Sequence, residues 1–262
     1  MKKYLVIGNP IDHSLSPVLH NHWIKKGNIN AVYDKKKLYK EDLGNIINQI
    51  KRNNIHGINI TVPFKKDIIE FIDQLSPEAT ATQSVNTVYL NEGQIIGHNT
   101  DIAGFELSLN KIKYDIKNKK IFILGAGGVV PSLIYALNRM KASSIIISNR
   151  TKEKALDLKK KFQNLKICNW GIIPDFDLVI NATSVGLKSN DKLDLDFSNV
   201  NNKFFYDVIY NPEETDFLRK GKMLGNNTEN GMMMFIYQAH QAFTIWHKTM
   251  PEINDEVLNI LK

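Results

Sequence analysis

Two segments of this chain carry residues suited to moving a proton. Lys65 stands just past an Asn-x-Thr-x-Pro turn, in Asn59-Ile60-Thr61-Val62-Pro63-Phe64-Lys65, after a short apolar run. Asp101 closes Gly97-His98-Asn99-Thr100-Asp101, which reads as the end of another strand. A lysine and a carboxylate held at strand ends can serve as acid and base toward a small polar substrate, whereas a surface lysine belongs to a solvated face. His13-Ser14-Leu15-Ser16-Pro17 lies between the first strand and the first helix. Ser14 and Ser16 can each hydrogen-bond a carboxylate with helix N–H groups nearby; the plainer reading is one N-cap serine and one bystander. Thr61, Asn86 and Asn99 sit at or near strand ends and can converge on hydroxyl groups, although each is also accounted for as a turn or strand residue. Gln238 flanks the apolar face of the last long helix, as a site residue or an ordinary surface amide. The 7 histidines show no HExxH or other metal spacing, so no metal is expected.

A second set of residues suggests a nucleotide. Gly125-Ala126-Gly127-Gly128 follows an apolar strand and opens a helix, the context in which a glycine pattern becomes a dinucleotide-binding candidate. The first glycine permits a tight turn, the second lets backbone approach a pyrophosphate, and the helix N-terminus offers unpaired N–H groups. Val130 occupies the third glycine position of GxGxxG, and Pro131 falls in the first helical turn, where its missing N–H costs little. One unit further on, Ser144 to Ser148 ends at Asn149-Arg150-Thr151, with Lys152 and Lys154 close behind. NAD enzymes usually carry an acidic residue there for the ribose. Arg150 instead suits a 2′-phosphate through paired, charge-assisted hydrogen bonds, so NADP is the expected cofactor. A helix cap at Thr151 with solvated charges is the alternative.

These residues need a scaffold, and the pattern supplies an α/β one. Short apolar runs bounded by turn residues alternate with helical spacing. Strands are expected at Tyr4 to Gly8, Ala31 to Tyr33, Ile55 to Ile60, Val85 to Leu90 and Gln94 to His98, the last two joined by the hairpin signal Asn91-Glu92-Gly93. Helices are expected at Pro17 to Lys26, Asp42 to Arg52, Asp67 to Leu75 and Gly104 to Lys111. The second series runs through strands at Lys120 to Leu124, Ser144 to Ser148, Leu178 to Asn181 and Phe204 to Val208. Its helices are Val130 to Met140, Lys152 to Phe162 and a long one at Asn227 to Trp246. The plan is two α/β domains. Residues 1–101, completed by helices in 236–262, form a substrate-binding and catalytic domain with a mainly parallel sheet. Residues 102–235 form a Rossmann-type NADP-binding domain.

Composition narrows the setting. The 262 residues are 43% hydrophobic and 23% charged, ordinary for a globular protein. The net charge of +7 raises nucleic acid as a partner, but the lysines are scattered and no aromatic residues are interleaved with them for base stacking. A solvated surface that attracts small anions is expected instead. The single cysteine, Cys168, excludes an internal disulfide and fits a reducing compartment. The apolar run after Met1-Lys2-Lys3 is too short for a signal peptide, and Ile121 to Asn138 is interrupted by glycines and Pro131. A cytoplasmic setting without a membrane partner follows.

In order along the chain, the segments Gly8 to Pro17, Asn59 to Lys65, Val85 to Thr87, Asn99 to Asp101, Gly125 to Gly128, Asn149 to Thr151, Asn181 to Gly186, Asp207 to Pro212 and Gly231 to Gln238, with Ala242-Phe243 and Trp246, resemble the shikimate dehydrogenase family. The resemblance implies reversible, NADPH-dependent reduction of 3-dehydroshikimate to shikimate in aromatic amino-acid biosynthesis, by a monomer or homodimer. It implies Ser14 and Ser16 on the substrate carboxylate, Thr61, Asn86, Asp101, Tyr210 and Gln238 around the ring hydroxyls, and Lys65 as the acid/base. It further implies a cofactor site lined by Gly125, Ala126, Gly127, Gly128, Val129, Asn149, Arg150, Thr151, Lys154, Val208 and Gly231. Quinate, or NAD in place of NADP, is the competing reading. The chain departs from the family at Pro77, where a polar or acidic residue is common. Asn230 replaces an aspartate, Met233 a glycine, and His247-Lys248 a Thr-Gly pair.

Overall fold

The computed structural model describes residues 1–188 and 191–262. By its internal contacts the chain forms two compact units, Met1–Gly104 with Ile236–Lys262, and Phe105–Phe235.

The first unit opens with β1 (Lys2–Gly8), α1 (Ser16–Lys26), β2 (Ala31–Lys37), α2 (Leu43–Lys51) and β3 (Gly57–Ile60). It continues through β4 (Gln74–Leu75), α3 (Pro77–Thr82), β5 (Thr87–Asn91) and β6 (Gln94–His98). The strands form a six-stranded sheet ordered β2-β1-β3-β5-β6-β4, in which β5 alone runs antiparallel to its neighbours. β3 is buried throughout, as expected of an apolar run at the centre of a sheet covered on both faces. α2 turns Leu43, Ile46, Ile47 and Ile50 into the core on one helical stripe.

Several elements differ from the pattern-based expectation. β2 runs on from Tyr33 to Lys37, because an edge strand paired only with β1 can carry exposed lysines that a central strand cannot. Asp67–Phe71 is a 3₁₀ turn rather than the start of a longer helix, and the chain then enters β4. α3 was not anticipated; Ser76 caps it by accepting the Ala79 N–H, and Pro77 sits at its first position.

α4 (Asp101–Lys111) carries the chain into the second unit, which contains β7 (Lys120–Leu124), α5 (Val130–Arg139), β8 (Ser144–Ser148), α6 (Lys152–Lys161) and β9 (Leu165–Ile167). β10 (Leu178–Asn181), β11 (Phe204–Asp207), α7 (Asp216–Met223) and β12 (Asn227–Glu229) complete it. All pairings in its sheet are parallel, and the order is β12-β11-β10-β7-β8-β9. Counted from β7 this is the 3-2-1-4-5-6 order of dinucleotide-binding sheets, with the order reversing between β7 and β10. The expected helix from Asn227 is a strand first: Asn227 to Glu229 pair with Phe204 to Tyr206.

α8 (Met232–His247) then returns the chain to the first unit, and α9 (Asp255–Ile260) follows. Trp246 of α8 stacks on Tyr4, with ring centroids 4.9 Å apart. A side chain at Gly57 would meet the Trp246 indole at 2.6 Å, so the glycine is what lets this helix lie against β3. Among the described residues no helix is long and apolar enough to cross a membrane, and no group of three His, Cys, Asp or Glu side chains could hold a metal ion.

Candidate active site

In the first unit, the loops that follow β1 and β3 are stitched together at the ends of adjacent parallel strands. Thr61 N–H donates to the Ile7 carbonyl and Asn9 N–H to the Val62 carbonyl, each at 2.9 Å. An added Cβ at Gly8 would lie 2.5 Å from Thr61 Cγ2, so the β1 loop departs beside Thr61 only because residue 8 is glycine. The same β1 loop carries Ser14 and Ser16. Ser14 Oγ accepts the N–H of Ser16, the first residue of α1, at 3.3 Å, and the N-cap residue, Leu15, makes no side-chain cap bond. Ser16 is buried and Ser14 half-buried.

The chain past Thr61 brings Lys65 inward. Its carbonyl accepts the Val85 N–H at 2.8 Å, which ties the turn to the segment holding Asn86. Lys65 Nζ lies 2.5 Å from Asp101 Oδ2, with both side chains about a tenth exposed or less (11% and 6%). Asp101 opens α4 rather than closing a strand, which corrects the expected setting. Asn99 holds that start: its Oδ1 accepts the N–H groups of Asp101 at 3.1 Å and Ile102 at 3.3 Å, and its Nδ2 donates to Thr82 Oγ1 and the Ser84 carbonyl. Asn99 therefore caps a helix, and both ends of its amide are engaged by the protein.

Asn86 completes the group. Its Oδ1 accepts the Thr100 N–H at 2.8 Å, so its Nδ2 faces Asp101 Oδ1 at 2.9 Å, and Gln238 Oε1 is 3.4 Å from the same nitrogen. Lys65, Asp101, Asn86 and Gln238 thus form one contiguous polar cluster, with Asn86 and Asp101 nearly inaccessible. Thr87 and Thr100, which pattern alone did not single out, bond into it through Asn86. Their only sequence signal was position beside a motif residue.

In the second unit, Gly125 takes φ +105°, and a side chain there would meet the Ala182 carbonyl oxygen at 2.8 Å. The turn it makes leads from β7 into α5, whose N-cap residue, Val129, makes no side-chain cap bond. Ala126 and Val129 are half-buried, while Gly127 and Gly128 are exposed. At the end of β8, Asn149 Nδ2 donates to the Thr151 carbonyl at 2.7 Å. Thr151 occupies the N-cap position of α6 but its hydroxyl makes no cap bond. Arg150, Lys152 and Lys154 are exposed and none has a carboxylate partner among the described residues.

After β11, Val208 N–H donates to the Asn181 carbonyl at 3.0 Å, and Gly231 N–H to Ile209 at 3.0 Å. A side chain at Gly231 would strike the Val208 carbonyl oxygen at 2.2 Å. Tyr210 is half-buried and stacks on Phe235, with centroids 4.4 Å apart. Asp207 is buried without a cation partner among the described residues. It accepts hydrogen bonds from Asn181 Nδ2, Thr215 Oγ1 and Ile209 N–H, and burial pushes its carboxyl up to about 6. Among the departures from the family pattern, Asn230 Oδ1 accepts the Met232 N–H at 3.0 Å, doing at the start of α8 what an aspartate would. His247 packs on Tyr4 and Phe243.

A parallel sheet in the 3-2-1-4-5-6 order with a glycine turn at its switch point defines the class: a two-unit α/β protein with a Rossmann-type dinucleotide-binding fold. The family model described as shikimate dehydrogenase substrate binding domain matches residues 6–88, and that described as shikimate / quinate 5-dehydrogenase matches residues 106–196. The chain is 56% identical over 261 residues to the shikimate dehydrogenase (NADP(+)) of Pelagibacter ubique, covering 99% of this chain and 98% of that one. Among solved structures, shikimate dehydrogenase from Aquifex aeolicus is similar with a TM-score of 0.91 at 36% identity, covering 100% and 97% of the two chains. The Thermus thermophilus enzyme in complex with NADP(H) and shikimate has a TM-score of 0.90 at 29% identity, covering 100% and 98%. This chain belongs to the shikimate dehydrogenase family.

Proposed function

We propose that this chain catalyses the reversible, NADPH-dependent reduction of 3-dehydroshikimate to shikimate, with Lys65 as acid/base and Asp101 as its partner. The observation that carries the reading is the buried contact between Lys65 Nζ and Asp101 Oδ2 at 2.5 Å. Burying an ion pair rarely adds stability over an apolar pair of the same size, so its presence here argues for chemistry. In the reductive direction Lys65 donates a proton to the oxygen on which negative charge develops, and in the oxidative direction it takes that proton back. Asp101 accepts from Lys65 on one oxygen and from Asn86 on the other, which leaves the ammonium a fixed direction. Ser14 and Ser16, at the start of α1, are read as binding the substrate carboxylate. Thr61, Asn86, Tyr210 and Gln238 are read as ring-hydroxyl contacts.

The second unit fits a phosphorylated dinucleotide. At Gly127 the nearest atom to an added Cβ is 3.8 Å away, so the fold itself does not need that glycine. Space kept there beside the N-terminus of α5 suits a pyrophosphate. Arg150, Lys152 and Lys154 have no carboxylate partner among the described residues and suit a 2′-phosphate. Gly125 to Val129, Asn149 to Thr151, Lys154, Val208 and Gly231 would hold NADP, whose nicotinamide supplies the hydride when bound. The +7 charge is read as a solvated surface on a cytoplasmic monomer or homodimer, without a nucleic-acid or membrane partner.

The test crosses purified protein with shikimate or quinate and with NADP⁺ or NAD⁺, following reduced nicotinamide. Turnover with shikimate and NADP⁺ is the expected result. Preference for NAD⁺ overturns the Arg150 reading, preference for quinate overturns the substrate, and no turnover with any pair overturns the proposal.

A further inference from the structure

A series of hydrogen bonds, buried from Tyr33 onward, runs from α1 to the Asp101 carboxylate. It begins at Asn21, which clamps the backbone of Tyr33 from both sides. Asn21 Nδ2 donates to the Tyr33 carbonyl at 2.7 Å, and Tyr33 N–H donates to Asn21 Oδ1 at 2.9 Å. The Tyr33 ring stacks on His20 of the same helix, with centroids 4.1 Å apart and planes 5° from parallel. So held, the Tyr33 hydroxyl donates to Asn59 Oδ1 at 2.7 Å. Asn59 Nδ2 donates to the Asn86 carbonyl and to Thr87 Oγ1, each at 3.0 Å. The Thr87 hydroxyl donates to Asn86 Oδ1 at 3.2 Å, and Asn86 Nδ2 donates to Asp101 Oδ1 at 2.9 Å.

Chemistry sets the polarity of this series. A backbone carbonyl only accepts and a backbone N–H only donates. The Asn86 carbonyl therefore fixes which atom of Asn59 is nitrogen, and the Thr100 N–H fixes which atom of Asn86 is oxygen. Every bond between them then points its donor toward Asp101. Tyr33, Asn59, Asn86 and Thr87 are all buried, so water does not replace a donor that is removed.

We propose that Tyr33 is a positioning residue for the reaction: through Asn59, Thr87 and Asn86 its hydroxyl holds Asp101, and with it Lys65, in the arrangement that transfers the proton. This rests on the reading of Lys65 and Asp101 as the proton-transfer pair. It also joins α1, the helix that begins at Ser16, to the far side of the same site.

Tyr33→Phe keeps the ring and removes the donor. Its kcat is expected to fall roughly tenfold, within the ~10²-fold that a small misplacement costs. Its KM for shikimate is expected to stay within about twofold, the signature of an interaction spent on the transition state. A merely structural role lowers stability and leaves kcat alone. Thr87→Val interrupts the series at its middle, so the double variant should lose no more than the worse single one. In ¹⁵N spectra of the folded Tyr33→Phe protein, the Asn86 side-chain amide resonances should move. If Tyr33→Phe does not fold, Thr87→Val carries the same kinetic and spectral readouts. An inert wild type, or a fully active Lys65→Ala, takes down the underlying reading. An active wild type whose Tyr33→Phe keeps its kcat, whose Asn86 resonances stay put, or whose two losses multiply, takes down the Tyr33 proposal alone.

Discussion

Lys65 and Asp101 are unusual for where their charges are kept, since 11% and 6% exposure removes most of the water that ions prefer. Removing the cation separates catalysis from binding. Lys65→Ala should lower kcat by about 10²–10⁴-fold, the range for a general acid–base group, while the KM for shikimate changes far less; steady-state kinetics in both directions check it. Arg150 makes the opposite kind of prediction, because it would act on binding. Arg150→Ala would lose charge-assisted bonds worth roughly 1.5–3 kcal/mol, so the KM for NADPH should rise about 10–100-fold while that for NADH stays put. Both residues stand out as candidates from their motifs, as does Asn86. Asn99 was not, since it read as a group turned toward hydroxyls. Whether an asparagine at a strand end serves a ligand or a helix depends on what stands opposite each end of its amide. Here those partners are Thr82 and Ser84 on one side and two helix N–H groups on the other.

At the scale of elements, the start of α4 fixes where the Asp101 carboxylate stands. Asp101 is its first residue, and Asn99 satisfies N–H groups that would otherwise be orphaned. Asn99→Ala should cost about 1 kcal/mol as a lost cap, with a fall in kcat as Asp101 loosens; denaturant midpoints and kinetics on the same preparation test the two together. Boundaries here escaped periodicity for physical reasons. β2 continues through three lysines because its outer edge faces water. Asn227 to Glu229 look like the polar lead-in to a helix, yet they pair with β11. Pattern reports which side chains are apolar, and edge strands need few of them.

For the molecule as a whole, stability should depend on pH through buried groups outside the lysine–aspartate pair. An imidazole titrates near 6.5 when free, and burial pushes His20 down to about 3 and His247 to about 4 in the folded protein. As pH falls below 6.5 the unfolded chain takes up protons that the folded first unit refuses, so stability present above 6.5 is lost on the way down to 3. Asp207 acts in the other direction. Its carboxyl is raised from 3.8 to about 6, so its contribution is present below 3.8 and lost as pH rises through 6. The two imidazole shifts are the larger, and denaturant midpoints should therefore drop between pH 6.5 and 4. His20→Phe, which keeps a ring against Tyr33, should make that drop shallower; an unchanged slope would remove His20 from the account. By itself the sequence determined the α/β class, the glycine turn and the basic residues after β8, and it singled out Lys65 and Asp101 as candidates, because each depends on residue type and near-neighbour spacing. Only the tertiary structure decided that Asp101 begins a helix, that Asn99 caps it, and that Tyr33 lies hydrogen-bonded to Asn59. Those facts depend on partners that folding brings together from distant positions, and no local pattern records which donor will meet which acceptor.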